Sequence, residues 1–150
     1  MKRFSFTLET VHNLRERARQ EAEAELARAS GAVMRAAEEL AEARRKREQA
    51  MDDYVQTFLD GRLSFPETTL RAGYLVVLAE RIAEAERQLT ERERECEAAR
   101  QKLVTVTAAA EATAKLRDHQ FARHRAALER EEQQQLDEIA MLKAARQRMK

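Results

Sequence analysis

Apolar positions along this chain recur with the period of a helical seam. Leu26, Val33, Leu40, Arg47 and Tyr54 stand seven apart, and Ala22, Ala29, Ala36, Ala43 and Ala50 stand seven apart between them. The resulting four-three alternation is that of a coiled-coil core, with Arg47 as the one charged residue in it. Nearer the N-terminus, Phe4, Leu8 and Val11 are expected on one face, continued by Leu14 and Ala18. The four-four step from Ala18 to Leu26 reads as a stutter that locally unwinds a supercoil. Ser5 or Thr7 is the expected N-cap, and Glu9 suits the positive end of the helix dipole.

The pattern breaks once, at Asp60-Gly61-Arg62-Leu63-Ser64-Phe65-Pro66-Glu67, which holds the chain's only proline. Gly61 suits the left-handed position that closes a helix. Ser64 and Glu67 have the spacing of a capping box, with Pro66 in the first turn of the next helix. A second seam then begins. Leu75, Ile82, Leu89, Cys96, Leu103 and Ala110 hold one core position, and Leu78, Ala85, Arg92, Ala99, Val106 and Thr113 hold the other. The phase then shifts to Phe121, Leu128, Leu136, Ile139 and Leu142.

These patterns predict an all-α fold. Two long helices, about 7–60 and about 65–148, form one antiparallel coiled-coil hairpin over residues 1–150, with the corner at 60–67. Paired residue numbers should sum to roughly 127, so about 25 C-terminal residues overhang without an intrachain partner. At ~1.5 Å per residue the second helix would be about 120 Å long, making the hairpin a thin rod.

Composition supports this class over disorder. Charged residues make up 37% and aromatics 5%, which marks both coiled coils and disordered chains, but the net charge is only +1. Opposite charges are interspersed and self-repulsion is small. The single Cys96 excludes an internal disulfide and fits a reducing compartment. The basic N-terminus has no apolar stretch behind it, so no secretory signal is read there. The longest strongly apolar run, Tyr74–Ala79, is too short to cross a bilayer. A soluble cytoplasmic protein is expected.

Candidate chemistry is sparse. His12, His119 and His124 read as solvated or rim residues, and the five-residue spacing of the last two does not suit a metal pair on a helix. Cys96 reads as an inert thiol in a core position. There is no glycine-rich phosphate loop, and an extended coiled coil offers no pocket to desolvate a carboxylate pair. We therefore expect no enzyme, metal or cofactor.

Charge distribution says more. Lys2, Arg3, Arg15, Arg17 and Arg19 outnumber Glu9 and Glu16 near the N-terminus, and Lys143, Arg146, Arg148 and Lys150 face no acid near the C-terminus. Residues 127–140 are acidic. Without aromatics for stacking or a continuous basic run, nucleic acid is not an expected partner. Near the corner, Tyr54, Phe58, Leu63, Phe65, Leu70, Tyr74, Val76 and Val77 cluster, more than a two-helix seam can bury, and either local packing at the corner or a protein partner would account for them.

The opening Phe4-Ser5-Phe6-x-Leu8-Glu9-x-Val11-x-x-Leu14-Arg15 resembles the start of the FliJ family, small coiled-coil components of the bacterial flagellar export apparatus. Tyr54-x-x-x-Phe58-Leu59 before the corner and Tyr74-x-x-x-Leu78-x-x-x-Ile82 after it are also similar to that family, as are the chain length and the charged C-terminal overhang. The Ala-rich core position and Arg47 depart from it.

The resemblance implies an antiparallel coiled coil similar to the central stalk subunit of rotary ATP synthases. Such a protein enters the ring of the hexameric flagellar export ATPase, promotes its assembly and activity, touches the cytoplasmic domain of the export-gate membrane protein and escorts substrate-specific export chaperones. It implies a location in the cytoplasm, peripheral to the inner membrane at the flagellar base. By analogy with the stalk subunit, the end carrying both termini is assigned to the ATPase ring, through Phe4, Phe6, Leu8, Val11, Arg15, Leu136, Ile139 and Leu142. The gate is assigned to Arg47, Ala50, Tyr54, Val77 and Arg81, with Tyr54 the one family-like position among them. The alternative is a generic coiled-coil chaperone or scaffold acting through self-association.

Overall fold

Two helices build the protein, α1 (Glu9–Leu59, 51 residues) and α2 (Phe65–Arg148, 84 residues). They are seen in a computed structural model that describes residues 4–62 and 64–148. Lys2, Arg3 and Lys150 of the expected basic clusters, and Leu63 of the corner cluster, lie outside the described residues. There are no strands among the described residues. The two long helices pack against each other as a helical hairpin, and the chain divides by its contacts into two units. Unit 1 comprises Met1–Arg19 with Thr105–Lys150, and unit 2 comprises Gln20–Val104.

Within unit 2 the expected seam forms. Ala22, Ala36, Leu40, Leu78 and Ala99 are buried. Leu26, Ala29, Val33, Ala43, Ala50 and Tyr54 on α1, and Leu75, Ile82, Ala85, Leu89, Cys96 and Leu103 on α2, are half-buried. Leu78 is the largest fully buried side chain, at 1% exposure. A narrow seam of alanines and leucines thus supplies the apolar burial that holds this unit, since burial scales with area removed from water. The antiparallel register is marked by Lys102 Nζ to Glu25 at 2.7 Å and Arg44 to Glu86 at 2.9 Å. Glu25–Lys102 falls on the expected pairing sum. Both ion pairs are exposed, so they mark the register more than they stabilise it. Lys102 donates to the Glu25 carboxylate and holds its pKa below the ordinary value.

Two expected core residues are not in the core. Arg47 and Arg92 are exposed. An unpaired guanidinium is costly to bury, so at these heptad positions the head group turns to water and only the stem can cover the seam. Arg92 pairs there with Glu95 at 2.9 Å.

The corner lies within unit 2 and is closed by backbone geometry at one side and a side chain at the other. Gly61 N–H donates to the Phe58 carbonyl at 3.1 Å, and Arg62 N–H donates to the Thr57 carbonyl at 3.3 Å. This is the paired pattern of a Schellman motif, with Gly61 in the left-handed region at φ 65°. For α2, Thr68 N–H donates to the Ser64 carbonyl at 3.0 Å, which makes Ser64 the N-cap. Half of the expected capping box forms as such. The Glu67 carboxylate accepts from the Ser64 N–H at 3.0 Å, but the Ser64 hydroxyl also donates to that carboxylate at 3.0 Å. The hydroxyl is drawn to a charged acceptor, which binds it more strongly than an amide would.

Unit 1 departs most from expectation. The His12 N–H donates to the Leu8 carbonyl at 2.9 Å, so α1 is capped at Leu8 and not at Ser5 or Thr7. The Glu9 N–H is satisfied by the Phe6 carbonyl at 3.1 Å, a tight turn in place of a side-chain cap. The face of Phe4, Leu8, Val11 and Leu14 is not the buried one. Phe6 and His12 are buried, whereas Leu8, Val11 and Leu14 are exposed. The heptad frame of Ala22 and Leu26, carried back in steps of seven, falls on Arg19, Arg15, His12 and Leu8, of which the first three are half-buried or buried. No stutter is needed at Ala18. The frame was hidden because its occupants are polar. On α2 the seam continues through Ala110 and Thr113 to Gln120, His124 and Leu128, so Phe121, which is half exposed, flanks it.

Candidate partner-binding surfaces

The buried polar cluster of unit 1 sets how its two helical segments meet. His12 Nδ1 lies 3.0 Å from the Thr113 hydroxyl, and both residues are buried. The Thr113 hydroxyl donates its one proton to the Ala110 carbonyl at 2.9 Å. With the hydroxyl proton on that carbonyl, the complementary arrangement has Nδ1–H donating to Thr113 Oγ1. One turn along, Arg15 donates to the Ala109 carbonyl at 3.1 Å, and Arg117 pairs with Glu9 at 3.4 Å. Phe4 stacks edge-on to Phe121 with centroids 5.2 Å apart and tilts over His124 at 5.6 Å. His12 is therefore a seam residue, not a solvated or rim one, because Thr113 gives its ring nitrogen a partner inside the seam. The signal for it was available in the heptad frame, two repeats before Leu26.

The residues assigned to an ATPase ring all fall in unit 1. Phe4 and Arg15 are half-buried in the contacts just described, and Phe6 is buried, so these three serve the protein's own packing. Leu8 and Val11 are partly exposed. Leu136, Ile139 and Leu142 are exposed, as is every residue from Glu129 to Arg148. No described side chain covers this last part of α2.

The residues assigned to an export gate all fall in unit 2. Ala50 and Tyr54 are half-buried in the seam, while Arg47, Val77 and Arg81 are exposed. Arg47 lines a groove of about 430 Å³ with Met51, Asp52 and Ile82. Val77 belongs to a second, more apolar groove of about 1020 Å³ with Phe65, Pro66, Leu70, Gly73 and Tyr74. Pro66, Leu70, Gly73 and Val77 recur with helical spacing on a face of α2 turned away from Leu75 and Leu78, and Tyr74, one turn before Leu78, stands at its edge. Phe65 is 87% exposed and Leu70 76%. The corner cluster read from the sequence is thus largely an outward face and not corner packing.

The surfaces hold little that could do chemistry. Among the described residues no group of three or more His, Cys, Asp or Glu could hold a metal ion. Cys96 is a free, half-buried thiol. Among the described residues no helix is long and apolar enough to cross a membrane.

The sequence model of the flagellar FliJ protein family matches residues 4–149, nearly the whole chain. The chain belongs to the FliJ family. Comparison with curated proteins and with solved structures found no match. FliJ-family proteins are non-catalytic components related to flagellar protein export, which agrees with a helical hairpin whose surfaces are grooves and faces for partners. FliJ membership also directs attention to the two uncovered surfaces, the outward face after the corner and the last part of α2.

Proposed function

We propose that this protein is a non-enzymatic stalk of the flagellar export ATPase ring, which promotes ring assembly and activity, contacts the cytoplasmic domain of the export gate and escorts substrate chaperones. The observation that carries this reading is the exposure of α2 from Glu129 to Arg148, where Leu136, Ile139 and Leu142 lie beside Lys143, Arg146 and Arg148 with no intrachain cover among the described residues. A helix that is uncovered, partly apolar and basic at its end suits insertion among the subunits of a ring. A single chain within six subunits cannot touch all of them alike. It therefore biases their states unequally, which is what coupling requires. The gate is served by unit 2, through Arg47, Ala50, Tyr54, Val77 and Arg81.

The test mixes the protein with its cognate export ATPase. Hydrolysis and ring formation should rise with its concentration, and a flat response over the series overturns the reading. Truncation after Phe121 should abolish the stimulation while circular dichroism still shows a helical hairpin. Tyr54→Ala should leave the stimulation intact and weaken binding to the gate domain. Loss of stimulation by Tyr54→Ala instead reverses the assignment of the two surfaces.

A further inference from the structure

The uncovered part of α2 is not a new surface but the continuation of one already in use. Ala110 and Thr113 are buried, and Gln120, His124 and Leu128, which continue the same seam, are half-buried. Phe4, ahead of α1, is the first described residue of the chain, and it sits against Phe121 and His124. Past Leu128 the four-three spacing goes on through Glu132, Gln135, Ile139, Leu142 and Arg146, with Leu136 at its edge. Of these five only Ile139 and Leu142 are apolar, and past Leu128 the cover ends. Ile139 stays 49% exposed and Leu142 62%.

Charge along this face runs in one direction. Glu131 and Glu132 stand before Ile139, and Lys143 and Arg146 stand after it. Among the described residues none of these four forms an ion pair within the chain. A parallel partner of the same sequence would set acid on acid and base on base. An antiparallel partner centred near Ile139 sets Glu131 and Glu132 of one copy against Lys143 and Arg146 of the other, with Leu136, Ile139 and Leu142 between them. The face is therefore complementary to itself, in one orientation only.

We propose that residues 128–148 dock a second copy of the same segment, antiparallel, to form a reversible dimer through unit 1. Only one face of a segment of about twenty residues meets the partner, which falls short of the roughly 1,600 Å² and 20–30 contacting residues a side of a standard interface, so the dimer is weak and depends on concentration. It uses the face offered to the ring in the proposed function but does not rest on that reading. Dimer and ring-bound forms exclude each other, and self-association holds the segment covered when no ring is present.

Sedimentation velocity of the full chain alone, from about 5 to about 500 μM, brackets the dissociation constant expected of so small a contact. The weight-average coefficient should rise across that range. Ile139→Glu should weaken association by about tenfold or more, since it brings a charge into the apolar centre. The pair Glu131→Lys with Glu132→Lys should dissociate the dimer, and so should the pair Lys143→Glu with Arg146→Glu. All four changes in one chain should restore it. A coefficient that stays flat overturns the proposal. So does association that survives Ile139→Glu, that is lost with Leu70→Asp in unit 2, or that the four-fold exchange leaves broken. No ATPase is present, so the outcome is independent of the stalk reading, and circular dichroism of each variant reports whether the helices remain.

Discussion

Units 1 and 2 join the same two helices by different means. In unit 2 the seam is apolar and small, with alanine after alanine on α1 and Leu78 as the one large side chain fully buried among the described residues. In unit 1 the corresponding positions are held by His12, Arg15, Thr113 and Arg117, joined by directional contacts. An alanine seam tolerates sliding, because one alanine layer resembles the next and the contact has no direction. A histidine that must meet one hydroxyl does not tolerate it. Unit 2 supplies apolar burial, and unit 1 fixes which residue faces which. That division suits a chain whose uncovered face begins just past the polar cluster of unit 1, since a slip of one heptad there would change which residues of α2 are left exposed.

The comparison breaks most readily at Leu78. Leu78→Ala removes the largest fully buried side chain and should cost about 2–5 kcal/mol, as a leucine truncation in a packed core does. Denaturant unfolding followed by circular dichroism gives the magnitude. Amide exchange gives the location, and protection should fall first within Gln20–Val104. If Leu78→Ala costs no more than an exposed substitution, unit 2 is not held by its apolar seam.

In unit 1 the sharper experiment has two parts. Thr113→Val keeps the shape but leaves the His12 Nδ1–H buried without an acceptor, at a cost of about 1–3 kcal/mol. Combining it with His12→Leu removes both polar partners, and stability should recover to near the native value. The double variant should nevertheless lose its single register. A spin-label pair placed at the exposed Asn13 and Glu111, read by electron resonance, should broaden from one distance to several. A double variant with one sharp distance shows that the polar cluster does not set the register.

What could be read from the sequence divides along the same line. The unit 2 seam was legible because leucine and alanine at heptad spacing have one common reading, and the corner was legible because Gly61 and Ser64-x-x-Glu67 are local signals. The N-terminal seam was misread. Its frame continues the one of Ala22 and Leu26, but histidine and arginine at core positions look like solvent residues until their partners are known. Those partners, Thr113 and the Ala109 carbonyl, lie about a hundred residues away, beyond the reach of any local rule. Arg47 and Arg92 are the reverse case, core by spacing and exposed in fact. The outward face of Phe65, Leu70, Tyr74 and Val77 was legible as an excess of apolar residues. That these residues stay exposed and do not pack into the corner depends on the helix as built.

The corner belongs to unit 2 and offers a smaller perturbation. Gly61 sits at φ 65° with nothing within 4 Å of where a Cβ would be. Gly61→Ala therefore meets no clash, only the backbone cost of the left-handed region, about 1–2 kcal/mol. The loss should appear as faster exchange of the Gly61 and Arg62 amides that close α1, with unit 1 unchanged. Faster exchange at His12 and its neighbours would mean that the two units do not open separately.

The smallest effect concerns pH at the same corner. Glu67 accepts first from the Ser64 N–H and then from the Ser64 hydroxyl, and both hold its carboxyl below the ordinary glutamate pKa. A depressed carboxylate stabilises the fold where it is ionised in both states, above its unfolded pKa. That contribution is lost as pH falls through the folded value. The α2 cap should therefore be intact at neutral pH and weaken only in acid, below the ordinary carboxylate range. A pH titration observed by nuclear magnetic resonance should show the Ser64 amide shift moving with the Glu67 carboxyl at one common midpoint below the ordinary glutamate value. Glu67→Gln should abolish the movement. It should leave the amides of unit 1 untouched, since no residue of unit 1 takes part in this cap. A Ser64 amide that titrates at the ordinary carboxylate midpoint would show the cap to be open in solution, and α2 would then begin from the backbone geometry of Gly61 alone.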